Sequence, residues 1–284
     1  MDFPALCPIK EENALIKYFS ASRKTLALGI VLTLAAAAAV CVRRMGEPSY
    51  ALVAVPLTIA VGALVTLFAA RIAASRAEDA MMCALHIDLK PKEFIARCAP
   101  IFDALPTAHA SKCAYGLHLA EAHIAAGESA EASHIIEETS RAADALADGT
   151  RKDTVKAFLL RERVRCALHC GDAASDGLAS ELRRAAEELG ARNPAASKAL
   201  ADDAELYSTW AALLSGKSAD ADALEEKMKS APSKLAKLDI CAMLVLAADN
   251  SGDADASARY RAMLAEQGGE TALARKLRVE GTAL

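Results

Sequence analysis

Two long stretches near the start of the chain carry no charge, and they constrain its fold more than any other feature. Thr25 to Val42 runs for 18 residues between Arg23-Lys24 and Arg43-Arg44, and Pro48 to Ala70 runs for 23 before Arg71 closes it. At 1.5 Å per residue, the shorter run as a helix nearly crosses the ~30 Å hydrocarbon core of a bilayer. A helix at the edge of a soluble core keeps one polar face, and neither run has one. Both therefore read as membrane spans, over 25–42 and about 49–70, with Pro56 absorbed by a first turn or a mild kink. A cleaved leader would place its apolar stretch early, whereas here that stretch opens only after 24 residues. Only Arg43 to Glu47 and a little beyond separates the runs, which predicts a tight antiparallel hairpin with both termini on one side. Gly29, Gly62 and the Ala35 to Ala39 run would let the two backbones approach closely, and they leave room for homo-oligomers through the spans.

Orientation follows from the basic residues in the short flanks. Residues 1–24 hold Lys10, Lys17, Arg23 and Lys24, and the stretch after the second run holds Arg71, Arg76 and Lys90, against Arg43 and Arg44 in the turn. Six of the eight cysteines lie beyond the spans without a paired spacing, which suits a reducing compartment. The expected topology is a cell-membrane protein of two spans with both termini cytoplasmic. Residues 1–71 are net +3 and the remainder net −7, so the basic flanks should lie against an anionic leaflet that repels the rest. An overall charge of −4 and only 4% aromatic residues exclude the basic, stacking surface of a general nucleic-acid binder.

Residues 72–284 show 3.6-residue apolar patterning and no sustained period-two run, so the chain is expected to be all-α. Pro91 suits the first turn of a helix through Phe94, Ile95, Cys98, Ile101 and Phe102. Gly127, Gly171, Gly216 and Gly252 each end one helical stretch and open another, at intervals of 44, 45 and 36 residues. Glycine provides the left-handed stop, and the polar residues after it suit the positive end of the next helix.

Leu119-Ala120, His123, Gly127, Ala132 and Ile136 fall in an apolar, small, ring, turn-glycine, small, apolar pattern, and Leu244, Ala248, Gly252-Asp253 and Leu264 repeat part of it. This pattern resembles the tetratricopeptide repeat, a helical hairpin of about 34 residues that stacks into a superhelix. The resemblance covers roughly residues 110–282 and implies an α-solenoid with a concave face that binds a protein or an extended peptide. The chain departs from the pattern at Thr139, where the family usually has alanine, and in the length of two intervals.

Cys166, His169 and Cys170 stand at i, i+3 and i+4 and offer sulfur and imidazole to a zinc ion, although no second ligand pair accompanies them. Alanine-rich hairpins commonly bury such cysteines as small apolar residues. Among the histidines around the Gly127 turn, which include His118, His123 is expected to pack between helices and His134 to face water. Glu137-Glu138, Asp202-Asp203 and Glu225-Glu226 point about 100° apart on a helix, so they read as solvated faces rather than acid and base pairs. Met81-Met82 and Trp210 read as packing residues. There is no nucleophile motif, phosphate loop, H-E-x-x-H helix or nucleotide fingerprint, so neither an enzyme nor a cofactor is expected.

Arg161, Arg165 and His169 form one stripe of donors at i, i+4 and i+8. In the tetratricopeptide-like register this stripe lines the concave surface, where guanidinium groups would hold carboxylates of a partner; otherwise it is an exposed, solubilising flank. The sequence thus describes a membrane-tethered protein-interaction scaffold. Its rivals are a subunit of an oligomeric membrane assembly, with the helical domain as coupling module, and a membrane-bound enzyme with a dispersed site.

Overall fold

A computed structural model describes residues 20–43, 48–172 and 175–282, and among these residues every regular element is helical. The expected hairpin turn at 44–47 and the N-terminal tail through residue 19 lie outside the described residues. The chain divides into two compact units, Met1–Met81 and Met82–Leu284.

The first unit contains α1 (Ser20–Arg43) and most of α2 (Pro48–His86). Both helices are long and apolar enough to cross a membrane, over Lys24–Arg43 and Val53–His86. Pro56 lies well inside α2 and the helix continues past it, so the first turn does not absorb the proline. Gly29 of α1 faces Thr66 of α2, and Gly62 of α2 faces Thr33 of α1. The two contacts run in opposite chain directions, so the helices are antiparallel. At each one the missing side chain of glycine leaves room for a threonine, and the Thr33 hydroxyl satisfies itself by donating to Gly29 O at 2.7 Å. Leu28, Val31, Leu64 and Phe68 point outward and are 61% to 71% exposed, the inverse of a water-soluble helix pair.

The second unit is built from α3 (Pro91–Ala104), α4 (Ala110–Ala126), α5 (Ser129–Asp144), α6 (Thr150–Cys170), α7 (Ser175–Leu189), α8 (Pro194–Leu214), α9 (Ala221–Ser230), α10 (Lys234–Ser251), α11 (Ala254–Gln267) and α12 (Ala272–Thr282). Helix starts follow local chemistry. Pro91 and Pro194 occupy first turns, and Ser233 and Asp253 accept from the amides of Ala236 and Ala256. Gly127 and Gly171 take φ of 76° and 69°, and Gly216 and Gly252 repeat that conformation, so the left-handed stops expected from the sequence are present at all four turns.

From α3 to α12 consecutive helices pack as neighbours except α8 and α9, and α4, α6, α8 and α10 also touch one another in series. Phe94, Phe102, Leu85, Ile101 and Leu119 are fully buried, each contributing about 1.5–3 kcal/mol by leaving water. Thr139 of α5 is completely buried over Gly116 of α4, and its hydroxyl donates to Ile135 O at 2.7 Å. The bulk of Thr139 is therefore accommodated by a glycine on the facing helix. His123 is buried as expected, and its Nδ1 lies 2.8 Å from Glu128 Oε2. His134 is exposed. At the far end the chain returns to its start: Arg275 donates to Ala126 O at 2.7 Å, and Glu270 N donates to Leu89 O at 2.8 Å. Leu89, buried and at φ 55°, holds a left-handed conformation that costs a side-chain-bearing residue about 1–3 kcal/mol.

Candidate functional site

The helices that touch in series carry ionisable residues into the interior of the second unit. Helix α6 supplies Arg161, Glu162, Arg165 and His169. Glu121 comes from α4, Asp203, Tyr207 and Trp210 from α8, and Asp239 from α10.

Arg165, 4% exposed, is at the centre of this network. Its Nε and Nη2 lie 2.9 and 2.7 Å from Asp239 Oδ2, and its Nη1 donates to Glu121 Oε1 at 2.8 Å. Glu162 is fully buried. Its Oε1 accepts from Arg161 Nε at 2.8 Å, while its Oε2 accepts no hydrogen bond and lies 3.9 Å from Arg165. Arg161 reaches Asp203 at 3.7 Å and lies over the Phe158 ring. His169 meets the Trp210 ring edge-on at 5.1 Å, with Nε2 3.2 Å from Asp239 Oδ1.

Burial works against each of these charges, and neighbours decide which survive. Burial opposes the Arg165 charge, yet the Asp239 and Glu121 carboxylates hold its guanidinium well above its ordinary value. Burial would raise Asp239, but Arg165 and His169 beside it bring it below the usual carboxylate range. Glu121 is likewise depressed against its burial, by His118 and then Arg165. Asp203 goes the other way, because burial outweighs the attraction of Arg161. Asp203 is thus a half-buried partner in the network and not part of the solvated face expected from the sequence.

Of the donor stripe, Arg165 is engaged from two sides by carboxylates of the same chain, Arg161 is bound to Glu162, and His169 lies beside Asp239. Cys166, His169 and Cys170 do not converge on one point. Cys166 and Cys170 contact Ser129 O and Ser129 Oγ at 3.8 and 3.2 Å, whereas the imidazole packs on Trp210. Among the described residues, the one set of three metal-ligating side chains that does converge is His86, His118 and Glu121. His118 and Glu121 share a face of α4, and His86 is the last residue of α2. Glu121 Oε2 lies 3.6 Å from His118 Nδ1 and 3.8 Å from His86 Nε2, and the two rings meet edge-on at 6.0 Å.

Sequence reasoning missed Glu121, Glu162, Asp239 and His86. Two of them had a visible signal: Asp239 interrupts the apolar run from Leu238 to Val245, and Glu121 interrupts the run from Leu119 to Ala126. A cavity of about 230 Å³ among Gly127, Ser129, His169, Asp239, Thr271 and Lys276 leads toward the network. No protein-family model matches the chain, and no curated protein or solved structure shows significant similarity to it.

Proposed function

We propose that the protein is a membrane-tethered interaction module, with α1 and α2 seated in the bilayer, both termini cytoplasmic, and a tetratricopeptide-like array that binds an acidic segment of another protein. The observation that carries the tether is the inverted hairpin, in which Leu28, Val31, Leu64 and Phe68 face outward while glycine and threonine interlock within. Because Arg165 is committed to internal carboxylates, the partner surface is assigned elsewhere, to a cleft of about 230 Å³ between α9, α10 and α11. Met228, Leu238 and Met263 line it with Lys229, Lys234 and Lys237, a combination that fits an acidic peptide with an apolar anchor.

Two experiments on the full chain in cells test this reading. A cysteine at Ser49 should react with an impermeant thiol reagent while one at Ser251 should not, and the reverse pattern would invert the topology. A photo-crosslinker at Gln267 should trap a partner that the Lys234→Glu, Lys237→Glu variant loses; an unchanged crosslink would remove the cleft from the proposal.

The assembly-subunit reading is favoured by one observation, an apolar groove of about 670 Å³ along α1 and α2, lined by Leu28, Leu32, Ala36, Leu57, Val61 and Val65. A crosslinker at Ala36 that joins two copies would support it, and one that reaches only lipid would reject it.

A further inference from the structure

We propose that His86, His118 and Glu121 form a site for one divalent transition-metal ion, zinc being the probe of choice, with three protein ligands and a fourth position open to solvent. The inference is independent of the interaction reading, because it rests on the arrangement of the three side chains.

Geometry is the first argument. The three ligand atoms lie within 4.8 Å of one another, and the two separations from Glu121 Oε2, 3.6 and 3.8 Å, are too long for hydrogen bonds. They approach the spacing of about 3.4 Å between ligands that surround zinc tetrahedrally at ~2.0–2.1 Å. Three donor atoms thus lie within reach of one ion. Imidazole nitrogen with one carboxylate oxygen is a donor set that suits zinc and its neighbours in the first row.

The surroundings supply the second argument. Glu121 uses its other oxygen, Oε1, to accept from Arg165 Nη1 at 2.8 Å, which fixes the carboxylate plane with Oε2 toward the two rings. Arg165 does not make the neighbourhood cationic. The ion pairs bring four carboxylates, of Glu121, Glu162, Asp203 and Asp239, to two guanidinium groups, of Arg161 and Arg165, with the His169 imidazole beside Asp239, an acidic balance that suits a divalent cation. His86 also ends α2, where the carbonyl end of a helix favours positive charge.

Access is the third argument. The His118 side chain remains 39% exposed, which gives an ion and its water a way in.

The test uses the full chain in detergent, stripped with a strong chelator, dialysed, and titrated with zinc against a chromogenic competitor. Cobalt in place of zinc reports the geometry by its visible absorption. One equivalent should bind saturably. His118→Ala, and separately Glu121→Gln, should each weaken binding at least about tenfold, the lower bound set by loss of a mere supporting partner. The Cys166→Ser, Cys170→Ser double variant should bind like the parent, which keeps the sulfur pair distinct from this site. Should Glu121→Gln disturb folding by releasing Arg165, the exposed His118 decides the matter, with helical circular dichroism as the control. Failure to bind one saturable equivalent, parental affinity in His118→Ala, or loss of binding only in the cysteine variant would each overturn the site.

Discussion

Arg165 and Asp239 lie 74 positions apart in the chain and meet at 2.7 Å in its interior, one carboxylate oxygen accepting from two nitrogens of the same guanidinium. The pair ties α6 to α10, and the third nitrogen of Arg165 ties both to α4 through Glu121. Replacing Arg165 with leucine leaves Asp239 and Glu121 without their guanidinium partner in a dry environment, a loss of about 3–5 kcal/mol. Urea unfolding of the full chain, followed by circular dichroism, should show that loss, while Arg184→Leu on an exposed face should stay within about 0.5 kcal/mol.

The two aspartates of the network respond to acid in opposite senses. Arg165 and His169 hold the folded pKa of Asp239 below its unfolded value of about 3.9, so its contribution is present above that value and fades as pH falls through the folded one. Burial raises the folded pKa of Asp203, so its contribution is complete below the unfolded value and is lost as pH rises through the folded one. Stability measured at pH 7 and pH 3 should therefore show Asp239→Asn less stable at pH 7 and less sensitive to acid. Asp203→Asn should gain stability at pH 7, and a loss there would contradict the burial argument.

Gly116 is predicted to resist even the smallest enlargement. A methyl group there collides with Thr139 Oγ1 and lies 2.9 Å from the Phe102 ring, an overpacking that costs about 1–3 kcal/mol. Thr139→Ala removes the two nearest colliding atoms and leaves the Phe102 ring to give way, so the double variant should recover part of the loss of Gly116→Ala. A double-mutant cycle on thermal unfolding measures this coupling, and additive effects would place the two residues out of contact.

The thiols should separate by reactivity. Burial pushes Cys98 up to about 12 and Cys241 to about 11, and both are sealed from solvent, whereas Cys170 is exposed. Maleimide at pH 8 should label Cys170 in the native chain and reach Cys98 and Cys241 only after denaturation, as read by peptide mass mapping. Labelling of Cys98 at the rate of Cys170 would reveal an open core.

What the sequence disclosed and withheld has a common physical cause. Helix ends were legible because their determinants are local: glycine at 127, 171, 216 and 252 adopts a conformation that other residues avoid, and Pro91 fits a first turn. The two helices long and apolar enough to cross a membrane were legible because an uncharged run needs no partner to declare itself. The fate of the arginine stripe was hidden, since the same i, i+4, i+8 pattern suits a solvent flank, a peptide groove or an internal ion pair. Only Glu121 and Asp239, 44 and 74 residues from Arg165, distinguish these. His86 was hidden for the same reason: at the end of α2 it had no near neighbour in sequence that would mark it as a ligand.

The return of α12 to α4 has a consequence for how the second unit comes apart. In an open stack of hairpins each unit leans only on its neighbours, so the stack can fray from either end and populate half-folded chains. Here the hydrogen bond from Arg275 to Ala126 spans 149 residues, and Glu270 clasps Leu89 near the beginning of the unit. Joining the ends in this way removes the free terminus from which fraying would start. It also raises contact order, so folding must pay the entropy of a long loop before the clasp rewards it. The unit trades a quick, piecewise assembly for a slower, all-or-none one.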